Sequence, residues 1–290
     1  MVQKKIRQNV WAENRIDTFT FSYTKRPDLV NVDGDKVLLC EKTDNKTAEN
    51  YIHQIKYAPL YIDRKEALEY FAENEMKELT EGLKDKFGPL REYAITKLAE
   101  SKFFKDAALI KTVEEIAVKE TDKKAKAAAL EFLAKTADKK YLGIFKTNIN
   151  DSSYSVAGAA LDGLAVLEPA NAYDVAKKYS NDAKGTLGEL VTIILMSAGD
   201  AADFDIITAQ FDQMPASASK LQLVGMFCDY LKEINNSGNV KKGIDLVIKL
   251  RSALPKQYKS ITEPVITGAL GKLAKAKGRE IEDYISSKLK

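Results

Sequence analysis

Apolar and polar residues alternate over roughly the first forty positions, and then the period changes. In "DTFTFSY", Phe19, Phe21 and Tyr23 fall on one side and Thr18, Thr20 and Ser22 on the other, the pattern of a half-buried strand. "PDLVNVDGDKVLL", residues 27–39, carries Val30 and Val32, the turn dipeptide Asp33-Gly34, then Val37 and Leu39, and predicts a β-hairpin. About three strands make a sheet that is only marginally stable unless it packs on something larger. From Asp44 the composition turns to Ala, Lys, Leu and Glu, and apolar residues recur at three and four: Ala48, Ile52 and Ile55, then Ala67, Leu68 and Phe71. This spacing predicts helices. Asp63, with Glu66 three residues on, is expected to cap one of them, and Pro89, Pro169, Pro215, Pro255 and Pro264 to mark boundaries between short helices.

A six-residue pattern returns along the helical part: "ALEYFA" at 67–72, "AITKLA" at 94–99, "ALEFLA" at 129–134, "ALDGLA" at 160–165 and "ALGKLA" at 269–274, with a weaker "TIILMS" at 192–197. The first four starts lie 27, 35 and 31 residues apart, and the gap of 109 before the last holds about three more periods. The two small residues sit about 140° apart round a helix and flank the large ones, so a neighbouring helix can approach closely while Leu or Phe fills the groove. Each period has room for two helices and a turn, and neither buries its apolar side alone. Stacking does so, which predicts a mainly α fold: an α-α superhelix of the HEAT/ARM-like solenoid kind, with roughly seven helix pairs between residues 60 and 290, preceded by a small β segment. The expected division is 1–43 for the β segment and 44–290 for the helical repeats.

Charge is nearly balanced, 45 Lys+Arg against 42 Asp+Glu, so nothing steers the chain strongly towards nucleic acid. The one short basic cluster, Lys272, Lys275, Lys277 and Arg279, reads as a solvated helix face. The longest apolar run, "VTIILM", is far short of the roughly 20 residues that cross a bilayer, and no apolar segment follows the basic N-terminus to make a signal peptide. Asn45, Asn150 and Asn235 begin sequons that read as chance matches without a secretory context. Cys40 and Cys228 are too far apart in sequence to suggest a disulfide framework, and both are expected reduced and buried.

His53 is the only histidine, which excludes an H-E-x-x-H zinc helix and any zinc site needing two histidines. It reads as a helix residue in "ENYIHQIKY". Asp33-Gly34-Asp35 lacks the glycine at six and glutamate at twelve of a calcium loop. "GALGKL" at 268–273 lacks phosphate-loop spacing, and Glu114 and Glu115, being adjacent, diverge by about 100° on a helix. "TDKKAKAAAL" at 121–130 reads as a capped helix start. No catalytic, cofactor-binding or metal residue is assigned.

The stretch "FTFSYTKRPDLVNVDGDKVLLCEKTDNKTAENYIHQIKYAPLYIDRKEAL", residues 19–68, resembles the junction in M1-family zinc metalloaminopeptidases, particularly bacterial ones. There a β-sandwich ends in a strand and hairpin, and a HEAT-like C-terminal domain opens with a segment similar to Arg64-Lys65-Glu66-Ala67. The resemblance implies that 1–43 is the remnant of a sandwich and that the rest of the enzyme lies upstream. The family's H-E-x-x-H helix and Gly-x-Met-Glu-Asn loop are absent, so the implied role is non-catalytic: capping the catalytic domain and enclosing a chamber for peptide. Zinc is implied only for the parent enzyme, where it polarises a peptide carbonyl and activates water. The implied partners are the upstream domains and the peptide substrate, with no nucleic acid and no membrane; the compartment, cytoplasm or periplasm, would follow from the parent's N-terminus. The alternatives are a stand-alone HEAT-like scaffold for protein–protein interaction and a solenoid that grips nucleic acid.

Overall fold

The computed structural model describes residues 5–290. The chain is mainly α and divides into two compact units, Met1–Tyr70 and Phe71–Lys290.

In the first unit an extended arm leads into α1 (Ala48–Tyr57) and α2 (Tyr61–Glu73). Helix α1 starts with a capping box: the Thr47 side chain and the Asn50 side chain each serve the other's backbone. The strand and hairpin expected over 18–39 do not form; no strand occurs among the described residues. The backbone turn closes through Lys36 N donating to Asp33 O at 2.9 Å, one residue beyond the expected Asp33-Gly34 centre. Asp33 and Lys36 take positive φ, 50° and 55°, whereas a mirror-type hairpin turn needs it at two successive central residues. The Asp33 carboxylate then accepts from Val37 N at 3.1 Å and Leu38 N at 2.9 Å. Those N–H groups are therefore engaged locally, and the strand-like pieces have no edge to pair with.

Asp63 does not cap α2 either. The helix begins two residues earlier at Tyr61, and Asp63 is wholly buried with its Oδ1 2.8 Å from Lys36 Nζ. Glu66 instead accepts from Lys42 Nζ, Lys46 Nζ and Gln54 Nε2 at 3.1, 2.9 and 2.7 Å. Arg64 Nη1 donates to Ala58 O and Pro59 O, fixing the bend between α1 and α2.

The second unit continues as α3 (Gly88–Glu100), α4 (Ala107–Lys119), α5 (Lys123–Lys135), α6 (Leu142–Asn148), α7 (Tyr154–Leu167) and α8 (Pro169–Tyr179). It is completed by α9 (Gly185–Ala198), α10 (Phe204–Gln213), α11 (Ala218–Glu233), α12 (Ser237–Ala253), α13 (Lys259–Lys277) and α14 (Arg279–Leu289). Starts are capped as their sequences predict: Asp106 accepts from Ala108 N and Leu109 N, Asp122 from Lys124 N and Ala125 N, Ser217 from Lys220 N, and Asn236 from Asn239 N. Pro89 and Pro169 open α3 and α8. Pro264 is the exception, lying inside α13 in its second turn, where it removes one helix hydrogen bond without ending the helix.

The odd-numbered helices pack in series, α3 on α5, α5 on α7, α7 on α9, α9 on α11 and α11 on α13, and the even-numbered ones lie against them. Every copy of the six-residue pattern in this unit falls on an odd helix. Its first, second and fifth residues are buried: Ala94, Ile95 and Leu98; Ala129, Leu130 and Leu133; Ala160, Leu161 and Leu164; Ala269, Leu270 and Leu273. In α9 the buried residues of this stretch are Val191, Thr192, Ile194, Leu195 and Met196, so the first, second and fifth positions fall on "VTIILM", one residue ahead of the expected frame. Helix α11 carries an unexpected copy, "LVGMFC" at 223–228, with Val224, Phe227 and Cys228 buried. Gly163, the fourth residue of "ALDGLA", lets α6 press on α7: a Cβ there would meet the Phe145 ring at 2.4 Å.

Polar links recur at the same interval. Arg91 bonds Glu120, Lys123 bonds Asp151, Tyr179 bonds Asn150, Tyr173 bonds Asp203, Gln210 bonds the Ser180 carbonyl and Tyr230 bonds the Asp200 carbonyl, all across 28 to 30 residues.

Candidate functional site

Two surfaces stand out, one in each unit. The arm keeps its large apolar side chains in water: Phe19, Phe21, Tyr23, Val30, Val32, Val37 and Leu38 are all exposed, and Leu39 fully so. Its backbone makes few internal hydrogen bonds besides those at the Asp33 turn and the bonds of Glu13 N and Asn14 N to Asp17. The arm is nevertheless anchored. Lys36 Nζ donates to Asn31 Oδ1, Val32 O and Asp33 O at 2.8, 3.3 and 3.0 Å besides pairing with Asp63, and Asn50 Nδ2 donates to Asp28 O at 2.7 Å. Arg7 pairs with Asp35 on the other side of the turn. A small open pocket of about 280 Å³ lies beside the anchor, lined in part by Tyr23, Arg26, Val30 and Lys46.

In the second unit the third residue of the repeated pattern is never fully buried on successive odd helices: Thr96 and Glu131 are exposed, and Asp162, Ile193, Gly225 and Gly271 are half-buried. A Cβ on Gly225 or Gly271 would meet nothing within 4 Å, so this row opens to solvent. On α5 and α7 in this row, Glu131 and Asp162 form no ion pair or hydrogen bond among the described residues. Partial desolvation first, then repulsion from Asp162 and Glu92, pushes the Glu131 carboxyl above the usual range, and desolvation does the same for Asp162. A second depression, an open groove of about 380 Å³ between α10 and α12, is floored by Phe204 and Leu246 and edged by Asp205, Asp212, Lys242 and Asp245. Lys249 pairs with Asp212, while Lys288 and the Tyr284 hydroxyl engage Asp245.

The residues singled out from sequence are dispersed. His53 lies on α1 with its ring 4.7 Å from that of Tyr57. Cys228 is buried in α11, where desolvation pushes its thiol up to about 12. Cys40 is exposed, contrary to expectation, because the arm that carries it has no sheet to cover it. Glu114 and Glu115 occupy α4, and Asp33-Gly34-Asp35 makes the turn described above. "GALGKL" is helical, within α13, and the cluster Lys272, Lys275, Lys277 and Arg279 straddles the α13–α14 junction. Among the described residues no group of three or more His, Cys, Asp or Glu side chains is placed to hold a metal ion, and no helix is long and apolar enough to cross a membrane. The outward row on the odd helices was not anticipated; it was readable as the third position of the repeat once the frames were known.

No protein-family model matches the chain, and no curated protein matches it.

Proposed function

We propose that this chain is the non-catalytic capping and chamber domain at the C-terminal end of an M1-like zinc aminopeptidase, whose parent removes N-terminal amino acids from peptides. The observation that carries this reading is the arm: alternating apolar residues, exposed between Phe19 and Leu39 on backbone that forms neither helix nor strand, precede helix α1. Such a segment suits the last strands of a sandwich whose other strands cover Phe19, Phe21 and Tyr23. The serial packing of odd helices, the buried repeat and the polar links at 28 to 30 residues support a HEAT-like solenoid, the architecture the resemblance implies for the body. Zinc does not fit this chain: a single histidine cannot supply a two-histidine site, so the metal and the peptide-bond chemistry belong to the upstream domains.

The second reading is a stand-alone HEAT-like scaffold that binds a protein along its outward row. The unpaired Glu131 and Asp162 favour it, since a solvated face with uncompensated charge is available to a partner.

The genomic reading frame separates the two. The capping role expects the frame to continue upstream of the Met1 codon for several hundred codons and to encode H-E-x-x-H with a downstream Glu and Gly-x-Met-Glu-Asn. An in-frame stop directly upstream overturns it and leaves the scaffold.

A further inference from the structure

We propose that residues 17–39 are a latent strand-and-hairpin module, held out of sheet pairing by a clasp made of Lys36, Asp63 and Asp33. The alternation of Phe19, Phe21 and Tyr23 and of Val30, Val32, Val37 and Leu39 suits pairing, yet the backbone adopts none. Two local devices account for this. The Asp33 carboxylate holds Val37 N and Leu38 N, one of which a hairpin's second strand would present to its first and the other to a further strand. The Lys36 ammonium is surrounded by Asn31 Oδ1, Val32 O, Asp33 O and the wholly buried Asp63 carboxylate, so both limbs of the turn are tied to α2. The turn closes one residue later than the Asp33-Gly34 centre, and it does so without a ladder on either limb. Opening the clasp frees the donors and unties both limbs from α2, and the arm then pairs as added strands on an open sheet edge. The capping reading above enters only in naming which sheet receives the arm; the clasp is a property of this chain alone.

The test uses the full chain. D33N leaves one acceptor oxygen where two N–H groups now bond, and it supplies the Asn-Gly dipeptide that hairpin turns favour. The double variant K36M/D63N removes the buried ion pair without stranding either charge. Amide hydrogen exchange, the infrared strand band and oligomeric mass are read for wild type and both variants, with a second copy's arm as the available edge. In wild type, Val37 and Leu38 amides are expected to exchange roughly tenfold more slowly than those of residues 19–23. In both variants, residues 19–23 become protected, the strand band rises and a concentration-dependent dimer appears. If the double variant loses its helical signal, D33N, which lies outside every helix, decides alone. A helical, monomeric D33N whose residues 19–23 still exchange as open chain overturns the proposal, while the reading frame remains a separate test of the capping role.

Discussion

Arg91 and Glu120 form a two-pronged ion pair, Nε to Oε2 at 2.6 Å and Nη2 to Oε1 at 2.8 Å, that joins the start of α3 to the end of α4. Glu120 also accepts from Thr121 N and Asp122 N, and Arg91 Nη1 donates to Asp85 O, so one pair of side chains organises three helix ends. R91K keeps the charge but loses the fork, and is expected to lower stability by about 1–2 kcal/mol; R91A, which leaves a half-shielded carboxylate without its partner, by about 2–4 kcal/mol. Urea unfolding of the three proteins checks this, and equal midpoints would refute it.

The alanines at the first position of the repeat are wholly buried between odd helices. Ala94→Leu or Ala129→Leu should overfill the contact and destabilise by roughly 1–3 kcal/mol. Thermal melts unchanged by both substitutions would show that the helices are not held apart by residue size at these points.

Glu131 is held above the ordinary carboxylate range by partial desolvation and by its acidic neighbours. The folded chain therefore retains a proton that the unfolded chain releases, and stability falls as pH rises from the ordinary carboxylate pKa through the raised one. E131Q removes that penalty. Its melting midpoint should exceed that of wild type at neutral pH, with the gain fading below about pH 4. A gain of the same size at both pH values would point to packing instead of charge.

Asp203 behaves in the opposite sense. Burial opposes its charge, but Lys177 Nζ at 2.7 Å, the Tyr173 hydroxyl and Asp200 N outweigh burial and hold the carboxyl below its ordinary range. The stabilisation is present above the unfolded-state pKa and is lost as pH falls through the folded one. D203N should cost about 1–3 kcal/mol at neutral pH and less in acid, and Y173F about 1 kcal/mol. Unfolding curves across the acid range check both the cost and its direction.

The helical body was legible because its repeat couples sequence to burial: in the copies on α3, α5, α7 and α13 the first, second and fifth residues are buried. The copy in α11 escaped notice because Leu223 and Cys228 stand where the copies in α3, α5, α7 and α13 carry alanine at the first and last positions. In α9, Thr192 hides its role behind a polar name, since its hydroxyl donates to Gly188 O at 2.8 Å within the helix and leaves the methyl to pack. The arm was misread for a different reason. Alternation records what a strand can bury, but pairing needs an edge, and here Asp33 and Lys36 supply competing local bonds. Asp63 likewise looked like a helix cap because spacing alone does not reveal that its carboxylate is buried against a lysine of the arm. The outward row with Glu131 and Asp162 required the helix frames, which no single segment of sequence provides.

Because each odd helix packs chiefly on the next, and side-chain ties at 28 to 30 residues accompany those contacts between α3 and α11, that stretch of the body is modular along its length. A gene duplication or loss that respects one whole module would leave every remaining junction of the same kind intact. An insertion of half a module would put an even helix where an odd one packs, so length changes between α3 and α11 are expected in steps of about 31 codons, whereas the step from the α11 copy to the α13 copy is longer.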